Sequence, residues 1–165
     1  MRGQAGFSYV LVMFAVALFA IMAVRLLDVA ATREQRAREA ELLYIGNAYR
    51  AAIGVFYENT PGTVKRYPEK LSDLLQDPRT VTMQRPLRKL YRDPMTNAAT
   101  WGLVLGPDER ITGVYSLSDR QPLKTGGFAP VLAGFARATA YRDWRFVYVP
   151  VVTVPLDKPL HKPSN

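Results

Sequence analysis

The pattern of apolar and polar positions divides the first third of the chain into two halves of one long helix. Residues 7–24 carry no charged side chain and are rich in Ala, Val, Leu, Met and Phe. As an α-helix this stretch spans about 27 Å, just enough to cross the apolar core of a bilayer. Residues 28–44 are dense in good helix formers. Because no proline occurs before the turn at residues 59–62, we predict one helix from Ser8 to Glu58.

Apolar side chains recur at steps of three and four residues in the second half of this helix. They are Leu42, Ile45, Tyr49, Ala52 or Ile53, and Phe56. This spacing places them on one face, which we expect to pack against a sheet as core. Gly46 and Gly54 weaken the helix locally.

The period of the pattern changes after the helix. A second, shorter helix is predicted from Tyr67-Pro68 to Asp77-Pro78, with a further helical turn around Leu87–Tyr91. Alternating apolar positions between turn residues then predict three strands. These strands are Trp101–Leu105, Ile111–Ser116 and Trp144–Val149. The alanine-rich residues 128–140 fit either a loop or a short helix, and the proline-rich tail 151–165 is expected to be loose.

Composition limits the chemistry that the chain performs. Its 165 residues suffice for one domain and an anchor, and an apolar fraction of 48% argues against disorder. The absence of cysteine excludes disulfides, thiol catalysis and cysteine metal sites. His161 is the only histidine, which excludes a His-rich metal site and disfavours a nucleophile–histidine pair. Ser116 and Ser118 lack a nucleophile-elbow context. We therefore predict no enzyme and no cofactor.

The net charge of +8 indicates a cationic surface that faces acidic partners or lipid headgroups. Nucleic-acid binding is the alternative, and the pattern favours it less because the basic residues are scattered among acids. The aromatic residues of the predicted strands are expected in the core rather than stacked on bases. They are Trp101, Tyr115, Trp144, Phe146 and Tyr148. Asp77 and Asp93 each precede a proline and are expected to be turn or cap residues.

The start of the apolar run has the form of a processing site. Arg2 lies in a six-residue leader that ends at Gly6, and Phe7 opens the apolar run. The leader is too short to hold the apolar core of a secretory signal. This arrangement resembles the prepilin-peptidase site of type IV pilin-like proteins. A plain single-pass anchor is the alternative, and such an anchor would keep residues 1–6.

Motifs further along the chain resemble those of the globular domain of type II secretion pseudopilins and follow one another in the same order. The resemblance is greatest to the major G-type subunit. The motifs are Tyr67-Pro68, Leu71, Asp77-Pro78, Leu90-Tyr91-Arg92-Asp93-Pro94, Trp101-Gly102 and Gly113-Val114-Tyr115-Ser116-Leu117. The resemblance runs from Arg2 to about Leu117. It implies an α+β, type IV pilin-like fold in which a long N-terminal helix packs on a small antiparallel sheet.

The resemblance also implies an organisation and a function. Residues 1–6 would be the leader, 7–27 the transmembrane half of the helix, and 28–150 a periplasmic domain. Prepilin peptidase would cut after Gly6, and the new first residue, Phe7, would be methylated. The subunit would then join other pseudopilins and an inner-membrane secretion platform in a periplasmic pseudopilus that drives protein export across the outer membrane. The positive-inside rule alone favours a cytoplasmic C-terminal part instead. The alternative function is a minor type IV pilin or competence pseudopilin that binds DNA.

Lateral packing of the apolar helix would hold such a subunit in its filament. The residues expected in this contact are Ser8, Leu11, Ala15, Ala17, Ala20 and Ala23, since small side chains let helices approach closely. Family members usually carry glutamate where this chain has Leu11, and that glutamate is implied to pair with a neighbour's new amino terminus. Leu11 therefore favours a neighbour of another type or a position at the filament tip.

The major pseudopilins are also implied to bind calcium through an acidic loop near the sheet. The corresponding residues here, 116–120, contain one acid, Asp119, beside a base. Because calcium needs several oxygen ligands, we predict no such calcium site.

Overall fold

The computed structural model has an α+β architecture, as predicted. It describes residues 5–77, 79 and 85–151, with the side chains of these residues except 5–8 and 23–28. Within these described residues, three strands and one long helix form the regular structure: α1 (Ala5–Glu58), β1 (Gly102–Leu105), β2 (Ile111–Tyr115) and β3 (Phe146–Val147). Three short 3₁₀ helices connect them, at Leu71–Leu74, Pro130–Arg137 and Tyr141–Asp143. The predicted leader, except Ala5 and Gly6, and the tail beyond Val151 lie outside the described residues.

Helix α1 is continuous over 54 residues, or about 81 Å, which confirms the predicted single helix. Its second half supplies the predicted apolar face to the core. The buried residues of this face are Leu42, Ile45, Tyr49, Ala52, Ile53 and Phe56. The helix ends where Thr60 Oγ1 donates a hydrogen bond to the carbonyl oxygen of Phe56. Arg79 Nη2 donates to the same oxygen at 2.8 Å.

The sheet has the order β1-β2-β3, and both neighbouring pairs are antiparallel. A tight turn joins β1 to β2, with the amide of Gly106 donating to the carbonyl of Arg110 at 2.8 Å. The register shifts between Val104 and Leu105, so β1 ends in a bulge. β2 is the central strand and lies against α1, so the helix and the sheet enclose one core.

Two glycines of α1 form flat sites for two aromatic rings, that of Phe146 in β3 and that of Tyr148 just after it. A Cβ atom added at Gly46 would lie 2.4 Å from the ring of Phe146, and one at Gly54 would lie 2.7 Å from the ring of Tyr148. Only a residue without a side chain allows such close approach. The two glycines were predicted only to weaken the helix locally. In the structure they also let these rings pack directly against the helix backbone.

The prediction of a second helix was too long. In place of a helix from Tyr67 to Asp77, the chain forms one 3₁₀ turn at Leu71–Leu74. Asp73 accepts hydrogen bonds from the amides of Glu69 and Lys70. These amides are thereby capped by a side chain instead of entering a longer helix.

Two further local predictions were wrong or too long. No helical turn forms around Leu87–Tyr91, because the amide of Leu87 donates to the carbonyl of Leu74 and that of Tyr91 to the hydroxyl of Tyr49. The third strand covers Phe146–Val147 alone, because Trp144 closes the preceding 3₁₀ turn by donating to the carbonyl of Tyr141. The ambiguous residues 128–140 contain the 3₁₀ helix Pro130–Arg137.

Candidate assembly surface

The first half of α1 presents an apolar surface that the domain does not cover. We call residues 9–22 the apolar rod; all fourteen of its residues are exposed, and its large apolar side chains range from Leu18 at 49% to Phe19 at 73%. The rod contains no charged residue. A helix that is apolar on every face is stable in an apolar environment or against other helices. The rod is therefore the surface of this chain that most needs a partner.

The predicted assembly residues occupy different sides of the rod. Leu11 is 59% exposed, and Ala15, Ala17 and Ala20 are exposed as well. At 100° per residue, Ala17 and Ala20 lie on one side of the helix and Ala15 lies on another. Small side chains are thus available to neighbours on more than one side.

The remaining predicted residues lie at the ends of the rod. Gly6, Phe7 and Ser8 belong to the first turns of α1, and Ala23 follows the rod; their side chains lie outside the described part of the structure. The predicted cleavage bond between Gly6 and Phe7 therefore falls in the first turn, where amide groups lack intrahelical acceptors. This is the part of a helix that unwinds most easily.

A buried polar cluster marks the point where α1 first contacts the domain. The Tyr141 hydroxyl donates to Glu39 Oε1 at 2.9 Å and accepts from Gln35 Nε2 at 2.8 Å. The amides of Leu123 and Lys124 donate to the same Glu39 oxygen. We call Gln35, Glu39 and Tyr141 the polar latch. Burial, with a further contribution from Glu39, raises the pKa of Tyr141 to about 12.

The sequence prediction missed the polar latch, although one feature indicated it. Glu39 is only 4% exposed. It lies three residues before Leu42 and therefore on the same face of the helix as the apolar residues. A charged residue at a core-facing position needs hydrogen-bond donors, and two backbone amides and a tyrosine supply them here. The latch fixes the helix against the loop at residues 120–124.

The two aspartates that precede prolines are turn residues, as predicted, and each has its own partners. Asp77 pairs with Arg79 at 2.8 Å, and hydrogen bonds from Arg79 hold the pKa of Asp77 below its ordinary value. Asp93 accepts from the amide of Met95 at 2.9 Å and is fully buried. Of the five predicted core aromatics, Trp101, Trp144 and Phe146 are buried, whereas Tyr115 and Tyr148 are only half-buried.

Residues 116–120, which correspond to the calcium-binding loop of the major pseudopilins in the resemblance described above, have other contacts. Ser116 Oγ donates to Asp93 at 2.7 Å, and Asp119 pairs with Arg142 at 2.7 Å. Within the described ranges, no three acidic, histidine or cysteine side chains lie together as a metal site would require. The absence of calcium binding stays a prediction.

A comparison with protein-family models, curated proteins and solved structures finds no match for this chain. Among the residues that the structure describes, no helix has both the length and the apolarity needed to cross a membrane.

Proposed function

We propose that this protein is a pseudopilin of a type II secretion system: a structural subunit without catalysis, anchored in the bacterial inner membrane with its domain in the periplasm. Prepilin peptidase removes residues 1–6, and the subunit joins other pseudopilins in a pseudopilus that drives protein export. Membrane insertion and lateral helix packing hold it there.

The observation that carries this proposal is the apolar rod. Its exposed surface extends away from the domain on a helix that continues without interruption into the core. Lipid and neighbouring helices are the two apolar environments that a subunit of a membrane-assembled filament meets. The small antiparallel sheet packed on the far half of the helix is compatible with a pilin-like fold.

Mass spectrometry of the mature amino terminus tests the proposal. Co-expression with a prepilin peptidase should yield a chain that begins at Phe7 and carries one methyl group. The variant Gly6→Leu should keep residues 1–6 under the same conditions and serves as the control. An intact Met1 in the native chain, with a peptidase that processes a reference prepilin, would show a plain anchor and overturn the proposal.

Assembly is tested separately at Leu11. Because a buried ammonium group is costly unless paired, Leu11→Glu should increase self-crosslinking in membranes by supplying a partner for the neighbour's amino terminus. Leu18→Glu places the same charge about two turns further along the rod and should not increase it. Unchanged or reduced crosslinking of Leu11→Glu would contradict this role of position 11.

A further inference from the structure

A groove on the described surface lies between α1 and the loop that precedes the sheet. It has a volume of about 650 Å³ and is lined by Arg38, Glu41 and Ile45 of the helix and by residues 89–94 and Asn97 of the loop. We call it the basic groove. Lys89 and Arg92 on the loop are exposed, and Arg38 faces them from the helix.

The loop that carries these cations is held in place by long-range hydrogen bonds. The amide of Leu87 donates to the carbonyl of Leu74 at 2.8 Å. The amide of Tyr91 donates to the Tyr49 hydroxyl at 2.9 Å, and Trp101 Nε1 donates to the carbonyl of Tyr91 at 2.8 Å. Because the backbone is fixed before any ligand arrives, binding to Lys89 and Arg92 costs less ordering entropy.

Burial of Asp93 leaves the charge of the loop uncompensated. Asp93 directly follows Arg92 in the sequence but is 0% exposed. Its oxygens accept hydrogen bonds from the amide of Met95 and from the hydroxyls of Thr96 and Ser116. Glu41 is therefore the exposed acid of the groove, against Lys89 and Arg92, whereas Arg38 is paired with Glu34 at 2.6 Å.

We propose that the basic groove binds an acidic segment of another polypeptide. The helix wall from Arg38 to Ile45 is about 10 Å long, which matches about three residues of an extended chain. Leu90, 46% exposed, offers an apolar contact beside the cations. The Tyr91 ring packs edge-on against Tyr49 and beneath Lys89, so it is not presented as a platform for base stacking.

Most acids of this chain's own described surface, with the exception of Glu41 and Glu109, are already engaged. Glu34, Glu69 and Asp119 pair with arginines, while Asp73 and Asp143 cap 3₁₀ turns. A second copy therefore offers the groove few free carboxylates, and the charge complementarity favours a different protein. The groove belongs to the domain, so the inference stands independently of the processing and membrane insertion proposed above.

Fluorescence anisotropy with the full chain in nonionic detergent tests the inference. The probe is a fluorescein-labelled peptide of alternating glutamate and leucine, compared with a glutamine–leucine peptide and with oligothymidine. Lys89→Gln/Arg92→Gln should weaken binding of the acidic peptide about tenfold, because two charge-assisted contacts are lost. Lys70→Gln/Arg137→Gln removes the same charge from exposed residues elsewhere and should change affinity by less than about twofold.

Four outcomes would overturn the inference. Equal losses in the two double variants would assign the binding to net charge alone, and equal affinity for the two peptides would remove the acidic specificity. Tighter binding of oligothymidine through Lys89 and Arg92 would assign the groove to nucleic acid. Self-association of the chain that the groove variant abolishes, seen by analytical ultracentrifugation, would make the occupant a second copy.

Discussion

The two halves of α1 share one backbone conformation and have opposite surroundings. In the apolar rod every side chain is exposed, whereas from Glu39 to Phe56 a buried residue recurs every three or four positions. Local propensity and continuous hydrogen bonding keep both halves helical. The two halves differ in their pattern of apolar residues. A single apolar stripe can be buried against one domain, whereas an apolar surface on all sides of a helix cannot. The stability of the domain should therefore depend on the packed half alone.

The largest test of this difference removes one phenylalanine that packs on the second half of α1 and one phenylalanine of the apolar rod. Phe146→Ala, in the strand that seats on α1, should lower the free energy of unfolding of the domain by about 3–5 kcal/mol, because Phe146 is fully buried. Phe19→Ala in the rod should change it by less than about 0.5 kcal/mol. Denaturant unfolding in detergent, followed by tryptophan fluorescence, measures both. A comparable loss in Phe19→Ala would mean that the rod contributes to the domain core.

The polar latch gives the next largest effect. Glu39→Ala leaves the buried Tyr141 hydroxyl and two partly buried amides without their shared acceptor, and should cost about 2–3 kcal/mol. Glu34→Ala, one helical turn earlier, removes an exposed pair with Arg38 and should cost less than about 0.5 kcal/mol. Equal costs in the same unfolding assay would mean that the contacts of Glu39 are not stabilising.

A glycine substitution sharpens the comparison further. Gly46→Ala gains helix propensity of about 1 kcal/mol but places its Cβ atom against the ring of Phe146. Overpacking should dominate, with a net loss of about 1–2 kcal/mol. Gly134→Ala, which meets no atom within 4 Å, should be neutral or slightly stabilising. A stabilised Gly46→Ala variant, by thermal melting, would show that the helix and the strand adjust without cost.

The smallest expected effect is absent at neutral pH and arises only in alkaline solution. The pKa of Tyr141 rises from 10.0 to about 12 on folding, so between these pH values the unfolded chain releases a proton that the folded chain keeps. The contribution of Tyr141 to stability should be constant below about pH 10 and then fall by at most about 1.4 kcal/mol per pH unit. The Tyr148 hydroxyl donates a hydrogen bond to Glu58, which raises the pKa of Tyr148 to about 12 as well. Tyr148 therefore adds to the slope of stability against pH, and Tyr141→Phe should remove only part of that slope.

Urea unfolding at several pH values measures that slope, and absorbance near 295 nm follows tyrosinate directly. Tyr44→Phe, at a residue 69% exposed, is the matched control and should leave the slope unchanged. Stability that rises between pH 10 and 12 would contradict the role given to Tyr141.

Sequence reasoning predicted the elements whose cause is local or periodic. The whole of α1 follows from helix formers, a three-to-four-residue repeat and a terminating turn. The β1–β2 hairpin follows from alternation around residues 106–109, and only the bulge at Val104/Leu105 was not foreseen. The core face of α1 was confirmed residue by residue, since each of its apolar positions is buried.

The wrong predictions concern segments whose backbone groups bind distant partners. Leu87 and Tyr91 have the spacing of a helical turn, but their amides donate to Leu74 and to the Tyr49 hydroxyl, 13 and 42 residues away in the chain. The burial of Asp93, which leaves Lys89 and Arg92 without an exposed acid beside them on the loop, likewise depends on Ser116 on the far side of the hairpin. A linear pattern does not contain these pairings, because chain folding creates them.

The continuity of α1 has a mechanical consequence. The latch residue Gln35 follows Ala5 by 30 positions of unbroken helix, which gives a lever arm of about 45 Å. No loop or proline interrupts this arm to act as a joint, so a push or torque applied at its foot reaches the sheet instead of being absorbed on the way. A tilt of about 10° at the foot would swing the domain sideways by about 8 Å, more than the width of one strand.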